Sequence, residues 1–427
     1  MIWIVPVAVF ILLGSGLALA YVIGAGAVLT FLVTDNGRYL AILPQQVFSE
    51  ISVFALMAMP LFILAGELMN RGGVTRALID LSMALVGRLR GGLGHVNIMT
   101  SVFFAGISGS AVADSAALSN TLVPEMQRRG YSLGYAGAVT AASSIIGPIV
   151  PPSIILIFYG AVMQTSVAAL FAAGIMPGLM LAAGLFAYNA FAAWREDHPR
   201  MLPDETPPIA SALRIAAPAL LLPIIILGGI VFGLATPTEA AAVAVSAAFC
   251  IGYLYSGFAP GDLSASLHRT AVLSGSIFIL ICAGAAFGHI AALERVPQAI
   301  STFMTDLGLG PLGYLFLLNV FFIIFGMILD IPVAIAIVVP LLAPIALEQG
   351  VDPVHLGIVI CFNLCIGLIT PPLGGCLLIV STVSGENYWT LAGRILPFVF
   401  VEIAVLAVLV LVPEISLMLP RALGLWN

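Results

Sequence analysis

Two stretches of this sequence combine small oxygen-bearing side chains with residues that break helices, inside otherwise apolar chain. The first contains Gly106, Ser108, Ser110 and Asp114, followed by Ser143, Ser144, Gly147 and Pro151-Pro152-Ser153. The second contains Gly326 and Asp330, followed by Asn363, Gly367, Thr370 and Pro371-Pro372. Proline removes a backbone donor and glycine tolerates sharp bends, so a helix carrying them unwinds and turns carbonyls toward neighbouring Ser, Thr and Asn oxygens. A cage of such oxygens suits a hard alkali cation such as sodium, while the N-termini of broken half-helices present amides to an anion. One constellation can therefore host a cation and a carboxylate. The alternative is that small residues allow tight helix packing and prolines only kink spans; the recurrence of the pattern favours a site.

Asp114 and Asp330 are ionisable residues deep in apolar segments, where burial is costly and function is the default expectation. Substrate binding, gating and helix capping are all open roles for them. Pro151, Pro152, Ser153, Pro371 and Pro372 are expected to shape the substrate path. Glu67 and Glu402 are also ionisable residues in apolar chain and so candidates, but a place at span ends is the favoured reading of both. Glu239, after Thr236-Pro237-Thr238, reads as a helix-start residue stabilised by the helix dipole. The five histidines show no metal-ligand spacing, and no Ser/His/Asp grouping suggests hydrolysis, so neither a transition-metal site nor a membrane enzyme is expected.

The elements that must position these residues are membrane helices. Of 427 residues, 61% are hydrophobic and 8% charged, against about a quarter charged in soluble domains. All fourteen basic residues are arginine. Without lysine there is no Walker-A phosphate loop and no Schiff-base chemistry, so this chain does not hydrolyse ATP through that motif and needs no such cofactor. A net charge of −6 without a basic run gives no footprint for nucleic acid. The five cysteines lie in apolar stretches without CxxC spacing and read as small buried hydrophobes. The first 37 residues carry no basic residue, unlike a signal peptide, so the N-terminus is expected to stay as membrane structure.

A span needs ~20 apolar residues, and 51–70, 133–164, 167–194, 215–235, 238–256, 270–289, 354–384 and 391–412 qualify. The run 2–33 is too long for one upright span and should break at Gly14-Ser15-Gly16. Segments 94–124 and 311–347 carry breakers and an aspartate at mid-length, as expected of re-entrant hairpins, although an ordinary kinked span remains open. Arg88 and Arg90 before the first hairpin, with Arg128 and Arg129 after it, put both its feet on the cytoplasmic side, and the second hairpin is expected to open outward. Segments 75–89 and 296–307 suit helices lying along the interface. About ten crossings plus two hairpins, with both termini outside, satisfy these assignments.

Glycines and prolines recur at a constant offset of 220 residues: Gly106 with Gly326, Pro124 with Pro344, Gly147 with Gly367, Pro151-Pro152 with Pro371-Pro372, and Pro177 with Pro397. Such residues fix backbone geometry, so the chain reads as two copies of one unit, 1–213 and 214–427, joined by a cytoplasmic loop at 195–213. An odd number of crossings between the copies inverts them, the architecture of secondary transporters with midplane sites.

The stretches 106–114, 147–153 and 367–374 together resemble the large membrane subunit of tripartite ATP-independent periplasmic (TRAP) transporters, and the likeness runs through essentially the whole chain. It implies an all-α polytopic protein of elevator type in a bacterial inner membrane, importing an organic acid with sodium. It also implies two partners, a small membrane subunit and a periplasmic substrate-binding protein. By motif match, the sodium sites would draw on Gly106, Ser108, Ser110, Ser143, Ser144 and Gly147 in one copy, and on Gly326, Asn363, Gly367 and Thr370 in the other. Ala111 departs from the family pattern, where a second serine is common, so this position offers no side-chain oxygen. A self-sufficient sodium/carboxylate symporter is the alternative within transport; a channel or a membrane enzyme lies outside it.

Overall fold

The protein is described by a computed structural model covering residues 4–255, 257–306, 308 and 310–426. Ile2, Ser256 and Leu307, which bounded three of the expected segments, lie outside the described residues. The chain opens with α1 (Ile4–Gly14), α2 (Leu19–Val33) and α3 (Leu43–Ile51). The first two are separated at Gly14-Ser15-Gly16 as expected, with Gly16 at φ +77° turning the chain.

The first half then runs through α4 (Ala58–Arg71), α5 (Val74–Val86), α6 (Gly92–Ser108), α7 (Ala111–Arg128), α8 (Leu133–Ser144), α9 (Ile154–Val162) and α10 (Val167–Arg195). The second follows as α11 (Ile209–Val231), α12 (Pro237–Tyr255), α13 (Asp262–Leu293), α14 (Val296–Asp306), α15 (Pro311–Ile328), α16 (Ile331–Glu348), α17 (Pro353–Gly367), α18 (Gly375–Ser384), α19 (Tyr388–Leu411) and α20 (Glu414–Ala422). Among the described residues no strand occurs, and eight helices are long and apolar enough to cross a membrane.

The offset of 220 found in the glycines and prolines also governs the helix bounds. Moved by 220, Ala111–Arg128 becomes 331–348, the bounds of α16, and Leu133–Ser144 becomes 353–364, within α17. Packing partners exchange in the same way. Helix α7 packs on α18 and α16 on α9; α8 packs on α19 and α17 on α10; α4 packs on α12 and α13 on α2. Each pair is the other moved by one repeat, the reciprocity that a two-fold relation between copies produces.

Two pairs of helices fold back on themselves. Gly109, in the left-handed region at φ +58°, ends α6, and Ser110 caps α7, its Oγ accepting from the amide of Ala113 at 3.4 Å. Asp330, which corresponds to Ser110, caps α16 by accepting from the amide of Ile331 at 3.0 Å. The turns between α6 and α7 and between α15 and α16 fall inside the segments 94–124 and 311–347.

Two of the expected spans are broken. Segment 133–164 is α8 and α9 around a non-helical stretch 145–153, and 354–384 is α17 and α18 around 368–374. A cis bond joins Pro151 to Pro152 in one and Pro371 to Pro372 in the other.

The polar stretch 196–208 is tied to the feet of the first hairpin. Arg90 pairs with Asp197, the amide of Gly91 donates to the Pro199 carbonyl at 3.2 Å, and Arg88 Nε donates to Thr206 Oγ1 at 3.0 Å. Arg129 Nη1 lies 3.0 Å from Glu205 Oε2. The backbone amide of Leu202, with Arg129 beside it, holds the Glu205 carboxyl below the usual glutamate range.

Candidate functional site

The tips of both hairpins line one cavity of about 260 Å³. Ser108, Gly109, Ser110 and Asp114 come from the first, and Asp330, Ile331 and Pro332 from the second. The breaks in α8 and α17 back onto these tips, and Ile154 and Leu368 reach the cavity from them. The opposite wall is α4, with Glu67 and Asn70, and α13, with Arg269 and Ser276.

Asp114 is fully buried one turn into α7. Ser108 Oγ donates to Asp114 Oδ1, and also accepts from the amide of Ser110 at 3.3 Å. Among the described residues Oδ2 has no hydrogen-bond partner. A Cβ added at Gly147 would run into that oxygen, so the glycine admits the carboxylate against the unwound chain between α8 and α9. An unpaired carboxylate oxygen in a water-poor interior is costly, and a cation beside it removes the cost.

The serines behind it form a relay of hydroxyls. Ser144 Oγ accepts from Ser115 Oγ at 2.7 Å. Ser143 Oγ bonds to Ser101 Oγ and to Asn97 Oδ1, both at 2.9 Å, and Asn97 Nδ2 donates to Thr140 Oγ1 at 2.6 Å. The carbonyls of Ser143 and Ser144 accept from the amides three residues further on, at 3.1 and 3.2 Å, and the Ser143 carbonyl also accepts from the amide of Ile145.

In the second half, Asn363 takes the position of Ser143. Its Nδ2 donates to the carbonyl of Asn319 at 2.9 Å and to Asn319 Oδ1 at 2.6 Å, which leaves Asn363 Oδ1 buried and without a partner among the described residues. Beside it the backbones of Gly326 and Gly367 touch: a Cβ on Gly326 would lie 3.2 Å from the Gly367 Cα. Thr370 Oγ1 donates to the Ile366 carbonyl at 2.7 Å and holds the end of α17. The two halves therefore each place one orphaned oxygen acceptor beside a glycine of a broken helix, by different residues.

Other expected site residues do other things. Gly106 lies against Pro223 of α11, where a Cβ would collide. Ser153 Oγ donates to the Pro148 carbonyl and accepts from the amide of Leu156 at 3.2 Å, which closes the break and caps α9. Pro151 and Pro152 are buried, whereas Pro372 is exposed.

Glu402 departs from its expected place at a span end: it is fully buried in mid-α19, with neither carboxylate oxygen partnered among the described residues. Glu67 is nearly buried too, and lies between two arginines on the cavity wall. Glu239 does sit at a helix start, accepting from Thr236 Oγ1 and from the Thr236 amide, both at 2.8 Å. Sequence reasoning passed over Asn97, Ser101, Ser115 and Asn319; their signal was polarity within long apolar helices.

Paired helical hairpins and broken spans, around a largely apolar cavity that carries a few serines and acids, define an all-helical polytopic membrane protein. The sequence model of the tripartite ATP-independent periplasmic transporter, DctM component, matches residues 4–415, and the chain belongs to that family. It is 36% identical over 394 residues to the sialic acid TRAP transporter large permease protein SiaM of Vibrio cholerae, covering 92% of each chain. It is also 36% identical over 406 residues to the C4-dicarboxylate large permease DctM of Pseudomonas aeruginosa, covering 94% of each. The fold resembles that of the Alcanivorax borkumensis YdaH transporter, with a TM-score of 0.66 at 15% identity over 88% of each chain.

Proposed function

We propose that this chain is the large permease of a sodium-coupled importer of organic acids in a bacterial inner membrane. The observation that carries this reading is the pairing of two unlike needs at one place. Asp114 Oδ2, on the cavity, is a buried acceptor with no donor among the described residues, which suits a cation, while the first turns of α7, α9 and α16 bring helix N-termini to the same cavity, which suits an anion; Asn363 Oδ1, outside that lining, is a second such acceptor. Sodium bound first would neutralise the aspartate and let an acid approach it. The relatives named for sialic acid and for C4-dicarboxylates support a carboxylate as the substrate class.

In this reading a periplasmic binding protein delivers the acid and a small membrane subunit supports the wall formed by α4 and α13. The hairpins, the broken helices and α10 and α19 travel as one body past that wall, the elevator motion. The copies 1–213 and 214–427 lie in opposite senses, and both termini are periplasmic. The arginines at the foot of α4, around the first hairpin and in the first third of α13 support a cytoplasmic mouth for this cavity.

Reconstitution in proteoliposomes tests the reading. Uptake of N-acetylneuraminate or succinate should require an inward sodium gradient and the binding protein together. Sodium-independent flux would support a channel, and full uptake without the binding protein would support a self-sufficient symporter.

A further inference from the structure

The cavity has one basic side chain among the described residues that line it, Arg269 of α13, against three acids, Glu67, Asp114 and Asp330. Arg269 is half exposed into that space. Its Nε lies 3.0 Å from Glu67 Oε1, and among the described residues this is its only polar partner. Both terminal nitrogens of the guanidinium are therefore free to meet a ligand, and these present the forked geometry that matches a carboxylate in a bidentate pair.

Glu67 is a loosely committed partner. Its other oxygen is 3.9 Å from Arg71 Nε, while Arg71 is itself taken up by Asp262, 3.2 Å from its Nη1. Asp262 is fixed in turn by the amide of Ala259 at 2.7 Å. Arg71 and Asp262 thus make a settled pair that joins α4 to α13. Glu67 and Arg269 make a second one that faces the cavity and can exchange. The corresponding positions one repeat away, Phe287 for Glu67 and Ser49 for Arg269, carry no charge, so this pair exists at only one of the two ends.

We propose that Arg269 is an acid-group receptor on the stationary wall of the cavity, with Glu67 as its resting counter-ion. An anionic substrate leaving the hairpin tips would displace Glu67 from the guanidinium and be held there before release. Glu67 then re-pairs with Arg269 and expels the acid, which discourages rebinding from the side on which the cavity opens. The inference rests on the functional reading above and adds to it a second, transient station for the same substrate.

The pair can be separated from a mere structural clasp because its two halves should act in opposite directions. Purified full-length chain in detergent and sodium chloride is titrated with N-acetylneuraminate and, separately, with succinate, reading the acid-dependent rise of the unfolding midpoint. Arg269→Gln should weaken the apparent affinity about tenfold, the scale of one charge-assisted bond. Glu67→Gln, which frees the guanidinium, should strengthen it, and Arg269→Lys should recover part of the loss.

If the pair only clasps α4 to α13, both glutamine variants will lower the midpoint without acid and leave the affinity unchanged; that result overturns the proposal. So does weaker binding in both. Should Arg269→Gln fail to fold, Glu67→Gln and Arg269→Lys still decide by the sign of their changes. Absence of any acid-dependent shift in the wild type for both acids overturns the functional reading and this inference with it. A wild-type response that Arg269→Gln leaves intact overturns this inference alone.

Discussion

Gly367→Ala tests whether the second hairpin rests on the broken helix backbone to backbone. A Cβ at Gly367 would stand 2.4 Å from the Gly326 carbonyl carbon and 2.5 Å from its Cα, where ordinary contact begins near 3.4 Å, so the two chains must part by about 1 Å. Neither obstacle is a side-chain tip that can swing aside. Overpacking costs about 1–3 kcal/mol in well-packed interiors, and displacement of two backbones puts this substitution at the upper end. The reverse change, Gly326→Ala, meets its nearest atoms at 3.2 Å and needs only tenths of an ångström, so its cost should fall below about 1 kcal/mol. Gly393 in α19 has open space around it, and alanine there should gain about 0.5–1 kcal/mol from helix propensity. The expected order of unfolding midpoints in detergent is Gly393→Ala at or above wild type, then Gly326→Ala, then Gly367→Ala. A Gly367→Ala protein as stable as wild type, or more stable than Gly326→Ala, would refute the contact.

Asp114→Asn keeps the shape of the side chain and removes its charge, so the part of the sodium-specific rise of the unfolding midpoint over potassium that appears at low sodium should vanish; a rise retained there would remove Asp114 from the ion site. At 100 times its dissociation constant a ligand adds about 2.7 kcal/mol, which is the scale of midpoint shift to look for in the wild type. Glu402→Leu should raise the midpoint, because it removes two buried oxygens with no partner among the described residues, and an unsatisfied buried group costs about 1–3 kcal/mol; a fall would mean that the carboxyl has a counterpart in the assembled transporter. Glu205 has its carboxyl held below the glutamate range by the Leu202 amide and Arg129, so its contribution is present above that range and is lost as pH falls through its lowered value. The midpoints of wild type and Glu205→Gln should therefore differ at neutral pH and converge on acidification, and a gap that persists in acid would contradict the tether.

Much of the frame was legible because breakers punctuate it. Gly14-Ser15-Gly16, Gly109 and the two Pro-Pro pairs each mark a place where a helix ends, and their offset of 220 is the offset of the helix bounds. Glu402 was misplaced because hydropathy reads distance from a charged flank and is blind to which way a residue faces. In α19 it points into the protein rather than toward the span's end. The hydroxyl and amide network of Asn97, Ser101, Thr140 and Ser143 was equally hidden, since each is one polar residue in an apolar helix and only tertiary packing joins them.

The repeat also sharpens what the aspartates can be. Asp330 aligns with Ser110 and caps a helix, as Ser110 does, so duplication explains it without any ion. Asp114 aligns with Ala334, so its carboxyl has no counterpart there, and it is the one of the two that is buried with an oxygen that no described residue partners. A side chain that breaks the symmetry of a duplicated fold and carries an uncompensated charge into its interior is not maintained by packing. The two halves should therefore bind their cations with unequal strength, the tighter site lying where Asp114 supplies formal charge and the weaker where Asn363 offers only a dipole. Titration of sodium-dependent stabilisation should resolve two phases, with Asp114→Asn removing the one at lower sodium and Asn363→Ala the one at higher sodium.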